Sequence, residues 1–294
     1  YGGVLFRARD AFFTAPQWQG LANWQAVLQP HYETAERMLG AQTVSFTSHH
    51  QTLAQALAGQ LGEKAQFALA PVGVYFGEAG KTVPDPYFGG EGPDRTGCTR
   101  CGACLVGCRT GAANTLTKNY LWLAEKRKAT ILAEEAVIDV QPLGAADGSE
   151  GYRITTQTPG RWLRRKQKTY TAGGVVFAGG AIGTNELLAH CKHSGSLPNI
   201  SNRLGKQVRT NSEAVLTVRL PTDQKTWNDV AASSRITVGE DTQIEFLTYG
   251  RHADFMSFLF TGLAGHGSSF TQPFKWLARV VRHPLEWLTM LWPI

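Results

Sequence analysis

The chain has 294 residues, of which 43% are hydrophobic and 18% are charged, and its formal net charge is +6. This length and composition are typical of a globular protein with one large domain or two smaller ones, and they exclude a repeat or low-complexity chain. No apolar run approaches the roughly 20 residues of a membrane-spanning helix, and no nucleic-acid-binding motif accompanies the positive charge.

Helical patterns dominate the amino-terminal part of the chain. Asp10–Leu39 has apolar residues at helical spacing, and Pro30 is expected to open a second helix there, which Gly40 ends. A further helix is predicted over Thr52–Leu61, because a glycine follows its last apolar residue.

Four of the five cysteines fall within one short run, CTRCGACLVGC. Its spacing, C-x2-C-x2-C-x3-C, is that of the iron–sulfur ligand run of bacterial ferredoxins, although an arginine stands where those proteins have proline after the fourth cysteine. A structural zinc site and a tight loop with free or pairwise-oxidised thiols are the alternatives. In a [4Fe–4S] cluster the ligands would be Cys98, Cys101 and Cys104, with Cys108 or Cys191 as the fourth.

A strand-rich stretch follows a helix predicted over Thr117–Lys128. The basic run at 161–168 is interpreted as the solvated end of a hairpin in this stretch. The predicted strands are Thr130–Leu132, Ala136–Gln141, Tyr152–Thr156 and Thr169–Ala172.

A glycine-rich turn comes next, between an apolar run and a helix. Gly174–Ala178 is predicted to be a buried strand, and Thr184 is expected to cap the helix that follows the turn. Free backbone N–H groups and the positive end of the helix dipole favour a phosphate or a polar cofactor edge at such a place. The alternative is a turn whose glycines only allow strand and helix to pack closely.

The last third of the chain alternates and then becomes aromatic-rich. Strands are predicted over Ala214–Leu220, Ser233–Val238 and Thr242–Thr248. The segment from Phe270 to Ile294 is expected to form a helix that either faces the protein core or lies on a membrane surface.

Cysteines at metal-ligand spacing, rather than in a disulfide framework, favour a reducing compartment. Residues 1–20 carry no secretory signal, so we expect a cytoplasmic protein, associated with a membrane if the carboxy-terminal helix binds one. The sequence starts without methionine and ends without a polar tail, and we therefore expect it to be a piece of a longer protein.

Three stretches, taken in order, resemble the glucose–methanol–choline (GMC) oxidoreductase family, and within it the cholesterol-oxidase-like branch. They are GCRTGAANTLTKNYLWLAE at 107–125, VVFAGGAIGTNELL at 175–188 and LPNISNRLGKQVRTNSEA at 197–214. The opening DAFFTAPQW…LQPHYETAERMLG resembles the segment that follows the first flavin-binding loops in that branch.

The resemblance implies a mixed α/β fold, α+β overall, with part of a doubly wound FAD-binding domain and a substrate domain built on a largely antiparallel sheet. The expected division is a substrate-domain or cofactor-covering segment with the cysteine-rich loop at 1–109, the second part of the FAD-binding domain at 110–204, and a truncated substrate domain at 205–294. The family's amino-terminal GxGxxG unit and its carboxy-terminal catalytic histidine segment are not in these 294 residues. The chain by itself is therefore expected neither to bind flavin tightly nor to turn over.

The resemblance also implies an activity, in which the CH–OH group of an alcohol is oxidised by hydride transfer to FAD. The expected substrate is a small hydrophobic alcohol such as a sterol, and the expected electron acceptor is oxygen or a redox partner. An iron–sulfur electron-transfer module that uses the cysteine run is the alternative function, and a non-catalytic binding protein on a decayed flavin fold is a further one. An iron–sulfur cluster beside the flavin would favour a dehydrogenase.

Several site residues are implied by their positions in the resemblance. Glu245 and Asn211 are the candidate catalytic residues, and Glu213 lies beside the latter. The apolar neighbours of Glu245 would raise its pKa and suit it to accept the alcohol proton, whereas strand alternation would turn it outward. Asn114 and Thr115 could instead act locally as an Asx turn or helix cap. The cofactor-binding candidates are Val137, Asn114, Thr115, Gly179, Gly180 and Ala181.

Overall fold

The computed structural model describes residues 3–160, 166–209, 213–218, 220, 224–251, 253, 268 and 270–285. Helices α1 to α6 span Asp10–Phe13, Trp24–Leu39, His49–Leu61, Tyr120–Lys126, Gly180–Ser194 and Gln272–Arg282. Strands β1 to β10 span Gln42–Thr43, Ala65–Leu69, Pro71–Val72, Thr82–Val83, Arg95–Thr96, Ala136–Pro142, Tyr152–Gln157, Gln167–Ala172, Ser234–Val238 and Thr242–Phe246. Short 3₁₀ turns lie at Ala103–Leu105 and Leu116–Lys118. The mixture of helices and antiparallel sheets confirms the predicted mixed α/β class.

The chain divides into two compact units, one formed by 1–129 with 217–294 and the other by 130–216. The first unit is discontinuous in sequence because β2, from the beginning of the chain, pairs with β9, from its last third. The expected segments 1–109, 110–204 and 205–294 refer to the domains of the family fold and stay a prediction.

A three-stranded antiparallel sheet, in the order β10-β9-β2, forms the centre of the first unit. The register places Ile236 between Phe67 and Ile244, and Ile236 is fully buried under α3. Helix α3 starts in a capping box in which Ser48 and Gln51 each bond the other's backbone N–H. These local bonds fix where the helix starts relative to the sheet.

A second cluster of buried side chains packs beside the short strands β1 and β3 of the same unit. Small and β-branched side chains fill it, and each fully buried valine contributes about 1.5–3 kcal/mol relative to an exposed one. The cluster consists of Val44, Ala70, Val72, Val74, Ala112 and Val230, with Cys98, Cys104 and Cys108 packed against it.

The second unit is a three-stranded antiparallel sheet, in the order β6-β7-β8, with α5 packed against β6. A β-bulge interrupts the β6–β7 register between Val137 and Asp139. Strands β7 and β8 confirm the predicted hairpin, whose connecting residues 161–165 lie outside the described part of the chain. Val140 and Cys191 are fully buried between sheet and helix.

Two predicted helix starts are wrong. Pro30 does not open a helix but lies inside the continuous helix α2, which tolerates the one missing backbone donor. Thr184 does not cap α5, because that helix already begins at Gly180 with Gly179 at its N-cap position. The predicted end of α2 at Gly40 is confirmed, and its φ of +56° is the left-handed conformation that glycine adopts easily.

Three predicted strands are absent from the described residues, because each apolar run lacks a neighbouring strand there. The expected buried strand Gly174–Ala178 is irregular, and Val176 within it is 91% exposed. Thr130–Leu132 is also irregular. The described residues of Ala214–Leu220, which are 214–218 and 220, form no strand. A strand needs a partner to satisfy its backbone groups, and an apolar pattern alone cannot supply one.

Candidate functional site

An open groove of about 1020 Å³ lies in the second unit, between β6 and α5. This volume is at the upper end of the roughly 300–1000 Å³ that small-molecule sites occupy. Its lining includes Val137, Asp139, Gly183, Glu186, Leu187 and His190.

Asp139 joins the two sides of this groove. Its carboxylate accepts hydrogen bonds from Ser196 Oγ at 2.5 Å and from Gln141 Nε2 at 2.8 Å, and Cys191 Sγ lies 3.5 Å away on α5. Burial opposes ionisation, but these hydrogen bonds hold the pKa of Asp139 below its ordinary value. The ionised carboxylate therefore ties the end of α5 to β6.

The glycine-rich turn forms the start of α5. Gly180 has a φ of +77°, a conformation that side chains other than glycine rarely adopt. In the described part of the chain no side chain caps this helix end, and a Cβ atom added at Gly180 or Gly183 would meet nothing within 4 Å. The backbone N–H groups of the first turn are thus open to a ligand, and the helix dipole favours an anionic one.

Of the predicted cofactor-binding residues, only Val137 lines this groove. Gly183, which was not among them, lines it too, whereas Gly179, Gly180 and Ala181 are exposed at the start of the helix and lie outside the lining. An open trough beside an uncapped helix start suits an extended ligand that carries phosphates, so these residues fit an adenine dinucleotide such as FAD.

Asn114 lies in the first unit and has a structural role that the sequence did not reveal. Its side chain is 1% exposed; it accepts a hydrogen bond from Arg95 Nε at 2.6 Å and donates one to the Leu39 carbonyl at 3.0 Å. The alternative local role as an Asx turn or cap is not seen for Asn114, because its side chain bonds these distant partners, and Thr115, at the N-cap position of the 3₁₀ turn Leu116–Lys118, makes no side-chain capping bond. Thr115 is exposed, and its hydroxyl lies 2.9 Å from that of Thr117.

Arg95 is the buried centre around which this loop is built. The residue is fully buried, and its guanidinium also donates to the carbonyls of Lys118, at 2.7 Å, and of Pro93, while it lies over the Tyr87 ring. Desolvation lowers the pKa of Arg95, but an arginine stays protonated in proteins. The loop that resembles a family cofactor loop is therefore held by one buried cation.

The structure gives no support to the predicted iron–sulfur or zinc site at Cys98, Cys101, Cys104 and Cys108. All are free thiols, and among the described residues no three His, Cys, Asp or Glu side chains could hold a metal ion. Cys101 is exposed, while the other three thiols pack against the valine and alanine cluster. The alternative of a tight loop with free or pairwise-oxidised thiols stays a prediction.

The buried thiols differ in acidity. Burial raises the pKa of Cys98 to about 11, and it also raises the pKa of Cys104. Burial acts in the same direction at Cys108, but backbone N–H groups of Ala113 and its neighbours outweigh it and lower the pKa of that thiol. Cys108 is thus the most thiolate-like member of this group of three.

The candidate catalytic residue Glu245 belongs to the first unit. Glu245 is exposed on β10 and accepts a hydrogen bond from Gln243. The apolar setting expected from its sequence neighbours is therefore absent. Its side chain points outward, as strand alternation predicts. Asn211 lies outside the described residues, and Glu213 is exposed. The structure therefore leaves the catalytic roles of Glu245 and Asn211 as predictions.

A buried polar network around Asp229 was missed by the sequence reasoning. The Asp229 carboxylate accepts hydrogen bonds from Ser48 Oγ, Ser233 Oγ and its neighbour's N–H, with His50 Nδ1 at 3.7 Å. Its backbone carbonyl also accepts a hydrogen bond from Gly102 N in the cysteine loop. Burial opposes ionisation here, but these partners lower the pKa of Asp229. Its only sequence signal is a charged residue directly before the apolar run VAA.

Comparison with known proteins identifies relatives by their sequences. A cholesterol oxidase of Acinetobacter baumannii is 39% identical over 300 aligned residues, which cover 100% of this chain and 54% of that protein. Cholesterol oxidases of two Mycobacterium tuberculosis strains are 40% identical over 287 residues, covering 94% of this chain and 49% of each protein. No protein-family model matches the chain, and no solved structure matches it.

These similarities extend along nearly the whole of the chain, which spans about half the length of the curated relatives it matches. Identity near 40% over such a length reflects common descent. The resemblance predicted from three short stretches is therefore confirmed.

Proposed function

We propose that this chain, a homologue of the GMC oxidoreductases of the cholesterol-oxidase branch, serves in an FAD-dependent oxidoreductase that oxidises the CH–OH group of a hydrophobic alcohol. The supporting observation is the groove of the second unit, where Val137 and Gly183 line one open space beside the uncapped start of α5. Since the relatives carry the name cholesterol oxidase, a sterol is the proposed substrate and oxygen the proposed acceptor.

The proposed cofactor contacts are those that the resemblance to the GMC family implies. The backbone of Val137, on an accessible strand, would contact the adenine, and the turn at Gly179, Gly180 and Ala181 would lie along the phosphates. Bound FAD would supply the acceptor for the hydride of the alcohol carbon. Asn114 would act by holding its loop in place, because its side chain is already engaged.

Glu245 and Asn211 are the proposed catalytic residues. An exposed carboxylate such as that of Glu245 is accessible to a substrate hydroxyl and can accept its proton, while an asparagine side chain can orient that hydroxyl. The matched variant Glu245→Gln keeps the shape and removes the base. If the role is correct, this variant loses turnover but retains its flavin.

The flavin site is tested with the whole product of the gene that encodes these 294 residues. The wild type should show a flavin absorption spectrum, and Gly183→Leu should reduce FAD affinity at least about tenfold by filling the groove. Because a Cβ at Gly183 meets nothing within 4 Å, the substitution should leave the fold intact. Gly59→Leu, at an equally open helical glycine in the other unit, is the matched control.

The activity is tested by mixing the flavin-loaded protein with cholesterol in the absence of oxygen. Bleaching of the flavin and formation of the ketone support alcohol oxidation, and peroxide formation after oxygen is admitted identifies oxygen as the acceptor. A well-folded gene product that contains no flavin and binds none would refute the proposal.

A further inference from the structure

Three thiols of the cysteine loop lie together in the first unit. Cys98, Cys104 and Cys108 are partly exposed free thiols, and all three pack against the same buried cluster of valines and alanines. They are near enough to one another for their charges to interact. A thiol with a second thiol beside it can be oxidised to a disulfide, which an isolated thiol cannot form within its own chain. The loop therefore has the parts of a redox-active site.

Backbone hydrogen bonds bring Cys98 beside the segment that holds Cys108. Tyr75 donates its N–H to the Ala112 carbonyl at 2.9 Å, and its own carbonyl accepts from the Cys98 N–H at 3.0 Å. Ala112 and Cys98 therefore bond the same residue and lie next to each other. Ala113 follows directly and donates its N–H to Cys108 Sγ at 3.4 Å. The Cys108 sulfur is thus anchored to the residue that adjoins this pair.

The surroundings of Cys108 favour its thiolate. Hydrogen bonds from the backbone N–H groups of residues 111–113 stabilise the charged sulfur and lower its pKa. The Lys118 ammonium, which donates to the Gly111 carbonyl at 2.5 Å, adds a positive charge near the sulfur. Burial has the opposite effect on Cys98 and Cys104 and keeps these two thiols protonated at neutral pH. Because the thiolate is the nucleophilic form, Cys108 is the thiol that an oxidant meets first.

We propose that the cysteine loop is a peroxide-reactive site, in which Cys108 is oxidised first and then forms a disulfide with Cys98 or Cys104. In the first step the Cys108 thiolate attacks one oxygen of hydrogen peroxide, the O–O bond breaks, and Cys108 becomes a sulfenic acid. The hydroxide that leaves takes up the proton that the Cys108 thiol released, and forms water. In the second step the other thiol attacks the sulfenic sulfur, the S–O bond breaks, and a second water leaves with the proton of that thiol. Two thiols thus lose two electrons to one peroxide, and the products are one disulfide and two waters.

The source of the oxidant is the part of this inference that rests on the proposed function. An oxidase that passes electrons to oxygen releases hydrogen peroxide beside its own surface. The disulfide itself does not depend on that activity, because peroxide from any source starts the same two steps.

The experiment treats the whole gene product, reduced and then freed of reductant, with hydrogen peroxide in the absence of sterol. Alkylation of the remaining thiols and digestion with trypsin follow, and mass spectrometry identifies the linked peptides. Trypsin cleaves after Arg95, Arg100 and Arg109. A bond from Cys98 to Cys108 therefore joins peptides 96–100 and 101–109, whereas a bond from Cys104 to Cys108 leaves 101–109 as one peptide that lacks two hydrogen atoms. Dimedone added during the oxidation should label the sulfenic acid at Cys108.

Two variants separate Cys108 from the rest of the loop. Cys108→Ser should lose both the disulfide and the dimedone label. Cys101→Ser removes the exposed thiol outside the group and is the matched control, which should form the same disulfide as the wild type. Circular dichroism establishes that each variant is folded, and the dimedone label on the wild type tests the role of Cys108 without any substitution.

Wild-type thiols that all stay open to alkylation after peroxide treatment would overturn the inference. So would a dimedone label on Cys98 or Cys101 instead of Cys108, or a disulfide that forms equally well in Cys108→Ser. A stoichiometric content of iron or zinc that protects the thiols would also overturn it and would assign them to a metal. A disulfide in a gene product that binds no flavin would support the inference and refute the proposed function.

Discussion

Replacing Arg95 by methionine tests whether one buried cation holds the loop that contains Asn114. The guanidinium donates four hydrogen bonds, to Asn114 Oδ1 and to the carbonyls of Lys118, Pro93 and Asp94, and the residue is fully buried. Methionine keeps much of the volume but removes all of these donors. The four acceptors, which are buried or part-buried, then lose these partners.

The magnitude follows from those four bonds, of which the one to the Asp94 carbonyl is the longest at 3.3 Å. A hydrogen bond to a charged group contributes about 1.5–3 kcal/mol to stability. The variant does not have to desolvate a buried cation, and this saving offsets part of the summed loss of hydrogen bonds. We therefore expect Arg95→Met to lower the free energy of unfolding by about 3–5 kcal/mol. With a urea m-value of about 2 kcal/mol/M, the midpoint should fall by roughly 2 M.

The assay is urea unfolding, monitored by the fluorescence of the eight tryptophans. Arg127→Met is the matched control, because this exposed arginine side chain, within the described part of the chain, pairs with Glu91 at 3.3 Å and with a backbone carbonyl and nothing else. Its loss should cost less than about 1 kcal/mol. Arg95→Lys should fall between the two, since lysine keeps the charge but cannot reproduce the planar fork.

A double-mutant cycle with Asn114→Ala measures the Arg95–Asn114 contact directly. The two losses should be non-additive by at least about 1 kcal/mol, because both variants break the same 2.6 Å bond. An Arg95→Met midpoint within about 0.5 M of the Arg127→Met midpoint, or additive losses in the cycle, would refute the reasoning.

Three further predictions concern other parts of the chain. Gly40→Ala should lower the free energy of unfolding in urea by about 2–4 kcal/mol. Gly40 has a φ of +56°, and an added Cβ would approach a tyrosine ring and an asparagine amide within 2.7 Å. The control variant Gly59→Ala should be neutral or stabilising. Hydrogen bonds from a lysine, a tyrosine and a threonine hold the pKa of Glu135 at about 2, below its value in the unfolded chain. The ionised Glu135 carboxylate therefore stabilises the fold at neutral pH, and this effect is lost as the pH falls from about 4.5 to 2. Glu135→Gln should therefore show a smaller fall in melting temperature across that window than the wild type. Maleimide labelling followed by mass spectrometry should modify Cys108 well before Cys98, because the pKa of the first thiol is lowered and that of the second is about 11.

Each of these predictions has a definite contrary result. Equal stability of the two glycine variants would mean that the close contacts at the end of α2 are not present. Parallel pH profiles for the wild type and the Glu135 variant would mean that the carboxylate is not held by its partners. Equal labelling rates would contradict the different environments of the two thiols.

The features that the sequence predicted correctly depend on interactions between near neighbours. The end of α2 at Gly40, the helix that precedes Gly62, and the β7–β8 hairpin all follow from caps, turns and alternation over a few residues. The relationship to the GMC oxidoreductases was also readable, because it rests on the order of residues along the chain and needs no geometry.

The tertiary structure alone decided which polar residues are used for folding. Arg95 and Asn114 are 19 residues apart, and Ser48 and Asp229 are 181 apart, so neither pair could be read from local spacing. The cysteine run shows the opposite case: its local pattern indicated a metal cluster, but three of its four thiols pack against a core that forms only when distant strands meet. Local sequence determines where helices and strands start and stop, because the capping and turn interactions that set these ends form between neighbouring residues. Hydrogen-bond partners across the fold are fixed only when burial requires every polar group to be paired.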